Sequence, residues 1–218
     1  MDEPFLCILT PIFDPALPCL QMLVEALLQQ TCQDFIHISL SNGKSPESEN
    51  YLKSLDSRFI YDERPTEPIK DAIQLVTNLA SRRAHGLLTY QAQRYHFFDA
   101  DLRLLRNDYL QELKENHQKA EIIISKTRYR GNILPIAPFD TVGQIDLANY
   151  SFSRRLANNY PYPTNYLAAY PNDFRFFRQF IDFPQLTLNN PYAEKDGNNH
   201  NVYLRMSERL CNKHAKDI

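Results

Sequence analysis

The chain has 218 residues, 43% hydrophobic and 23% charged, which is long enough to bury a substantial core and balanced like a soluble globular protein. A formal net charge of -2 and a pI near 6.3 leave no basic footprint for nucleic acid. Met1-Asp2-Glu3-Pro4 holds no basic leader, no apolar run approaches the ~18 residues of a membrane span, and Cys7, Cys19, Cys32 and Cys211 form no CxxC pair. The expectation is a cytoplasmic protein with reduced thiols.

Phe5 to Leu9 reads as a buried strand that ends at Thr10-Pro11. Leu17, Leu20, Leu23, Val24, Leu27 and Leu28 then fall on one helical face, and the helix is expected to close near Gln29-Gln30-Thr31. A second strand over Phe35 to Leu40 stops at Ser41-Asn42-Gly43, where glycine permits a turn. A helix near Glu47 to Leu55, with Glu49 and Lys53 four apart, leads to a short strand at Phe59 to Tyr61 and a polar end at Asp62-Glu63-Arg64-Pro65. Ile69, Ala72, Ile73, Val76, Leu79 and Ala80 trace a further helix toward Arg82-Arg83, expected to close at Gly86.

The most informative stretch follows. Tyr95 to Phe98 is a short buried strand running into Asp99-Ala100-Asp101, and strand alternation is expected to send both carboxylates to one side. Open α/β sheets bind ligands beyond the carboxyl ends of their strands, and a divalent cation held by one or two carboxylates fills its remaining positions with water and phosphate. Asn107 is placed as the cap of a helix through Tyr109, Leu110 and Leu113, and Ala120 to Ser125 as a buried strand. This alternation predicts a single α/β domain with a mainly parallel sheet flanked by helices, in which residues 1–126 form a Rossmann-like nucleotide-binding half.

Residues 127–218 are expected to choose the substrate. A polar loop through Arg128, Tyr129 and Arg130 is followed by a helix over Ile145 to Ala157, on which Asp146, Asn149 and Ser153 share a face able to bind hydroxyls or simply to cap and solvate. Tyr160, Tyr162 and Tyr166 stand in a proline-rich loop, and Asn172-Asp173 opens a helix through Phe174, Phe177 and Ile181. The polar stretch Asn189 to Asn201 reads as a tail and Val202 to Asn212 as a last helix. His85, His96 and His117 receive no functional role.

The order of these motifs resembles glycosyltransferase family 2, the inverting nucleotide-sugar transferases of the GT-A fold. The resemblance spans most of the chain: Phe5 to Phe13, Gln29-Gln30-Thr31 with Asp34 to Ile38, Phe97 to Asp101, and Asn172-Asp173-Phe174. It implies that Asp101 holds Mg²⁺ or Mn²⁺ on the donor diphosphate, with Asp99 on the metal or ribose. It implies further that Thr10, Pro11, Ser41 and Asn42 bracket base and ribose, that Arg82 stands at the family's basic position, and that Asp173 is the general base. The donor is then a nucleotide-diphosphate sugar and the acceptor a hydroxyl of a glycan or other molecule, with peripheral membrane contact left open.

Three departures stand out. Ser41-Asn42 replaces the acidic pair usual after the second strand, Asn172 replaces the acid before the base, and the histidine metal ligand has only His200 as a candidate. Two other readings survive: a phosphohydrolase using Asp-x-Asp as nucleophile and acid, and a silent module that binds sugar nucleotides or glycans.

Overall fold

The computed structural model describes residues 3–12, 17–64, 72–129, 131–135, 145–165 and 172–195. Arg130, Tyr166, His200, Cys211 and the expected helix over Val202 to Asn212 lie outside the described residues. Among the described residues nine strands form one sheet in the order β3-β2-β1-β4-β8-β6-β9-β5, with β7 on the edge of β6. One side is the expected parallel unit: β1 (Leu6–Ile12), β2 (Phe35–Asn42), β3 (Phe59–Arg64) and β4 (Arg94–Phe97) all run the same way. The other side is mixed, because β8 (Tyr150–Ser153) runs against both β4 and β6 (Ile122–Tyr129), and β5 (Leu102–Leu104) runs against β9 (Gln185–Lys195).

Each face of the sheet carries its own core, as strand alternation requires. Ile8 and Ile12 pack with Leu20, Leu23, Val24 and Leu27 of α1 (Leu17–Leu28), Leu52 of α2 (Pro46–Lys53) and Tyr109, Leu110 and Leu113 of α4 (Tyr109–Asn116). Cys7 and Leu9, one residue out of phase, face α3 (Ala72–Thr89), α5 (Arg154–Asn159) and α6 (Asn172–Arg178). A strand buried on both faces, such as the wholly buried β1, reads as an unbroken apolar run for this reason.

Gln30 is buried and stitches α1 to the segment before α4, donating to Arg106 O at 2.7 Å and accepting from Leu110 N at 3.1 Å. The Gln29-Gln30-Thr31 motif is thus a structural link. The i,i+4 pair Glu49–Lys53 closes at 2.5 Å. Gly43 takes φ +96° in the turn after β2, as its freedom from a Cβ allows.

Five expectations are corrected. Gly86 does not end its helix; it lies inside α3, where a Cβ would meet Leu9 Cδ2 at 3.0 Å and Leu40 Cδ1 at 3.2 Å, so the glycine admits the close approach of α3 to β1 and β2. The segment Ile145 to Ala157 is not one helix but a 3-10 turn (Leu147–Asn149), strand β8 and the short α5, because Tyr150, Ser151 and Phe152 are needed between β4 and β6. The loop at Arg128-Tyr129 is the end of β6, which turns back into β7 (Asn132–Leu134). Asp108, not Asn107, occupies the position before α4. Finally, Asn189 to Lys195 is not a tail but the second half of β9, paired to both β6 and β5. Among the described residues no helix is long and apolar enough to cross a membrane, and Cys7, Cys19 and Cys32 are free thiols.

Candidate active site

The site lies where the parallel half of the sheet meets the mixed half, beyond the carboxyl end of β4. Strand β4 ends at Phe97; Phe98 N still donates to Leu9 O at 3.1 Å, and the chain then reverses with Leu102 N donating to Asp99 O at 3.1 Å. Asp99 and Asp101 are therefore brought together by a turn between β4 and β5, not by strand alternation. The two carboxyls differ sharply in their surroundings.

Asp99 is doubly paired. Its Oδ2 takes an ion pair from Lys195 at the end of β9, and its Oδ1 lies 3.6 Å from Arg83 Nη2 on α3. Burial alone would raise its pKa, but the two cations outweigh that and hold it below the usual carboxylate range. Asp101 has no such partner: among the described residues no ion pair reaches it. Burial, reinforced by the charge of Asp99, pushes its carboxyl up to about 6.

Arg83 continues across the site. Nη1 donates to Asp173 Oδ1 at 3.0 Å and to the Tyr162 hydroxyl at 3.3 Å, while its guanidinium lies 5.9 Å from the centre of the Phe97 ring. Tyr162 donates to the same Asp173 oxygen at 2.6 Å. Desolvation and the neighbouring carboxylates Asp146 and Asp99 hold the Asp173 carboxyl above its ordinary range in spite of Arg83 and Tyr162. Asp146 caps the 3-10 turn through Ala148 N at 3.1 Å and turns its other oxygen to within 3.7 Å of Lys195. Three carboxyls (Asp99, Asp146, Asp173) thus share two cations, Arg83 and Lys195, with Asp101 beside them and outside the ion pairs.

The remaining sequence candidates are distributed around this centre. Thr10 and Pro11 pair in register with Ser39 and Leu40, so the ends of β1 and β2 are adjacent. The Thr10 hydroxyl is buried against His37 Nε2 at 2.9 Å. Ser41 donates to Gly43 O at 2.7 Å, and both polar atoms of the Asn42 amide are buried without a partner among the described residues. Arg82 is not in the carboxylate cluster: one turn position away from Arg83, it is buried against Arg64 O near the end of β3. Asn149 donates to Ser125 O and Thr127 Oγ1 and accepts from Asp146 N at 2.9 Å in a capping box, and Ser153 caps α5, so both serve local structure and the Asp146 carboxylate reaches the cluster without them. Tyr160 packs on Phe180 and Phe183, and Arg128 is exposed on β6.

Sequence reasoning did not single out Arg83 or Lys195 for this site. Arg83 follows Leu79 and Ala80 by four and three residues, but Arg82 follows Asn78 and Leu79 in the same way, so helical phase alone does not choose between them. Lys195 ends a segment that begins Gln185-Leu186-Thr187-Leu188, whose period of two signals a strand.

Hard oxygen donors suit Mg²⁺ or Mn²⁺, and such ions are commonly held by one or two carboxylates plus substrate phosphates. Asp101, a carboxyl that no ion pair engages among the described residues, fits that demand. Among the described residues no group of three or more His, Cys, Asp or Glu converges on one point, so they do not offer a closed cage.

A mixed, largely parallel α/β sheet flanked by helices is the architecture of a GT-A-like fold. Solved structures agree. The chain is similar to Staphylococcus aureus TarS residues 1–349, at 12% identity and a TM-score of 0.67 over 88% of this chain and 60% of that one. The same stretch of TarS in complex with UDP-GlcNAc aligns at 11% identity and TM-score 0.65, over 88% of this chain and 58% of that one. The mannosyltransferase PcManGT from Pyrobaculum calidifontis, in complex with GDP-Man and Mn²⁺, aligns at 11% identity and TM-score 0.61, covering 88% and 56%. The chain therefore spans less than two thirds of each of these neighbours. No family model and no curated protein sequence matches it.

Proposed function

We propose that the protein is an inverting glycosyltransferase that moves a sugar from a nucleotide-diphosphate donor to an acceptor hydroxyl, with Mn²⁺ or Mg²⁺ at Asp101. The observation that carries the reading is Arg83, whose single guanidinium meets Asp99 on one side and Asp173 on the other. It sets the carboxylate read as facing the diphosphate and the one read as the base on either side of a single side chain. The UDP-GlcNAc, GDP-Man and Mn²⁺ of the structural neighbours support the same chemistry.

In this reading Asp173 takes the proton of the acceptor hydroxyl as its oxygen bonds to the anomeric carbon. The bond from that carbon to the diphosphate oxygen breaks on the opposite face, and the departing nucleoside diphosphate keeps the electron pair. A carboxyl held above its ordinary range is better matched to this task than a strongly acidic one. When bound, the cation supplies charge that stabilises the departing diphosphate. Asp101 would hold it, while Asp99 stays charged through Arg83 and faces ribose or metal. Thr10 is committed to His37, so base and ribose fall to Pro11, Ser41 and Asn42, the last with an unpartnered donor and acceptor. The acceptor is a glycan or other hydroxyl compound, not nucleic acid, and the location is cytoplasmic.

The phosphohydrolase reading requires a free nucleophilic carboxylate at Asp99, and both of its oxygens are in ion pairs. The test is calorimetric titration with UDP, GDP, dTDP and CDP, with and without Mn²⁺, in the wild type and in Asp101→Asn. Metal-enhanced binding of one nucleotide that is lost in Asp101→Asn supports the proposal. Binding of none, together with phosphatase activity, sinks it, and nucleotide binding with no transfer from any matching sugar donor favours the silent module.

A further inference from the structure

Lys195 holds an unusual position for a cation in a site meant to receive a metal. Its ammonium pairs with Asp99 Oδ2 and lies 3.7 Å from Asp146 Oδ2, and its side chain is 22% exposed. A divalent ion sits about 2.0–2.6 Å from a carboxylate oxygen. An ammonium on the same oxygen and a metal bound there exclude each other by size and by charge.

Arg83 is not free to resolve the conflict. It is fixed by Asp99, Asp173 and Tyr162 and backed by Phe97. Lys195 differs: its charge is a point on a flexible four-carbon stem with three rotatable donors, and it stands at the end of β9. Four carboxyls around two cations also repel an incoming diphosphate unless one of those cations turns to it. Only Lys195 can do so without dismantling the link between Asp99 and Asp173.

We infer, building on the glycosyltransferase reading, that Lys195 is a further donor-binding residue: its ammonium neutralises Asp99 and Asp146 until a nucleoside diphosphate takes it, which frees Asp99 for the divalent cation. Nucleotide and metal are then coupled through one side chain. Metal alone has to displace the lysine, whereas diphosphate recruits it.

Full-length wild type and Lys195→Met are titrated with Mn²⁺ alone and with the four nucleoside diphosphates without metal. In Lys195→Met, affinity for Mn²⁺ alone is expected to rise and metal-free diphosphate affinity to fall, each by about tenfold or more. Lys195→Arg, which keeps the charge, restores diphosphate binding, and binding of the bare nucleoside is unchanged by either variant. Opposite signs distinguish this role from a structural one, which would weaken both affinities together. Equal weakening, or no change in either, overturns the inference while a wild type that binds nucleotide leaves the functional reading standing. A wild type that binds no diphosphate under any condition overturns both.

Discussion

Arg83 Nη1 donates to Asp173 Oδ1 at 3.0 Å across 90 residues of chain, and through its other terminal nitrogen the same guanidinium faces Asp99. Helices α3 and α6, far apart in the chain, and the turn after β4 are thus joined through one guanidinium. Removing the arginine while keeping its bulk leaves two half-buried carboxyls without their shared cation, although Asp99 keeps Lys195. Arg83→Met is expected to lose about 1–3 kcal/mol of stability, read by urea unfolding, because a partly desolvated charge left short of a partner costs more than the pair contributed.

Asp173→Asn separates chemistry from binding. The amide oxygen can still accept from Arg83 and Tyr162, so melting temperature and nucleotide affinity should stay close to wild type. The transfer rate constant should fall by about 10²- to 10⁴-fold, the usual worth of a positioned base. Wild-type turnover in this variant would remove Asp173 from the mechanism.

Tyr162→Phe tests the tuning of that base. The Tyr162 hydroxyl donates to Asp173 and so favours the ionised carboxylate. Without it the carboxyl holds its proton more tightly, and the acid limb of the pH profile for kcat/KM should move to higher pH. An unmoved or lowered limb would mean that another group sets it.

Two histidines make the fold sensitive to acid. His37, against Thr10, and His96, against Tyr109 at 2.8 Å, are fully buried, and burial lowers each pKa from 6.5 to about 3. Between those values the unfolded chain binds a proton that the native state refuses, so their contribution is present above pH 6.5 and is lost as pH falls toward 3. The slope amounts to at most about 1.4 kcal/mol per pH unit for each histidine. Unfolding free energies at pH 7 and pH 5 should differ accordingly, and His96→Gln should reduce the difference.

Gly86→Val should destabilise by about 1–3 kcal/mol, the usual cost of overpacking, since even a Cβ there meets Leu9 at 3.0 Å. The loss would appear in the midpoint of denaturant unfolding with an unchanged slope.

Much of the parallel half was legible because its signals are local. The buried run Leu6 to Leu9, the heptad-like leucines of α1 and the glycine after Asn42 each specify their own element. Asp99, Asp101 and Asp173 were legible as candidates because carboxylates at element boundaries are conspicuous. The mixed half was obscured by tertiary demands: Tyr150 to Phe152 has a helical neighbourhood in sequence but is claimed by β4 and β6 on either side. Helical phase misled at α3, where Ile73 of the apolar stripe is 51% exposed while Asn78 and Arg82 are buried. Arg82 is the residue the family resemblance points to, and it is Arg83 that enters the cluster, since adjacent helical residues differ by about 100° and only packing decides which one meets the sheet.

Strand β9 also sets a timetable. The turn bearing Asp99 and Asp101 is held between β4 and β5, β5 has β9 as its ladder partner, and the cation on Asp99 is the last residue of β9. Protein synthesis runs from the N-terminus and loop closure precedes long-range pairing. A nascent chain can therefore assemble its four parallel strands early, yet Asp99 lacks one of its two cations until Lys195 has left the ribosome.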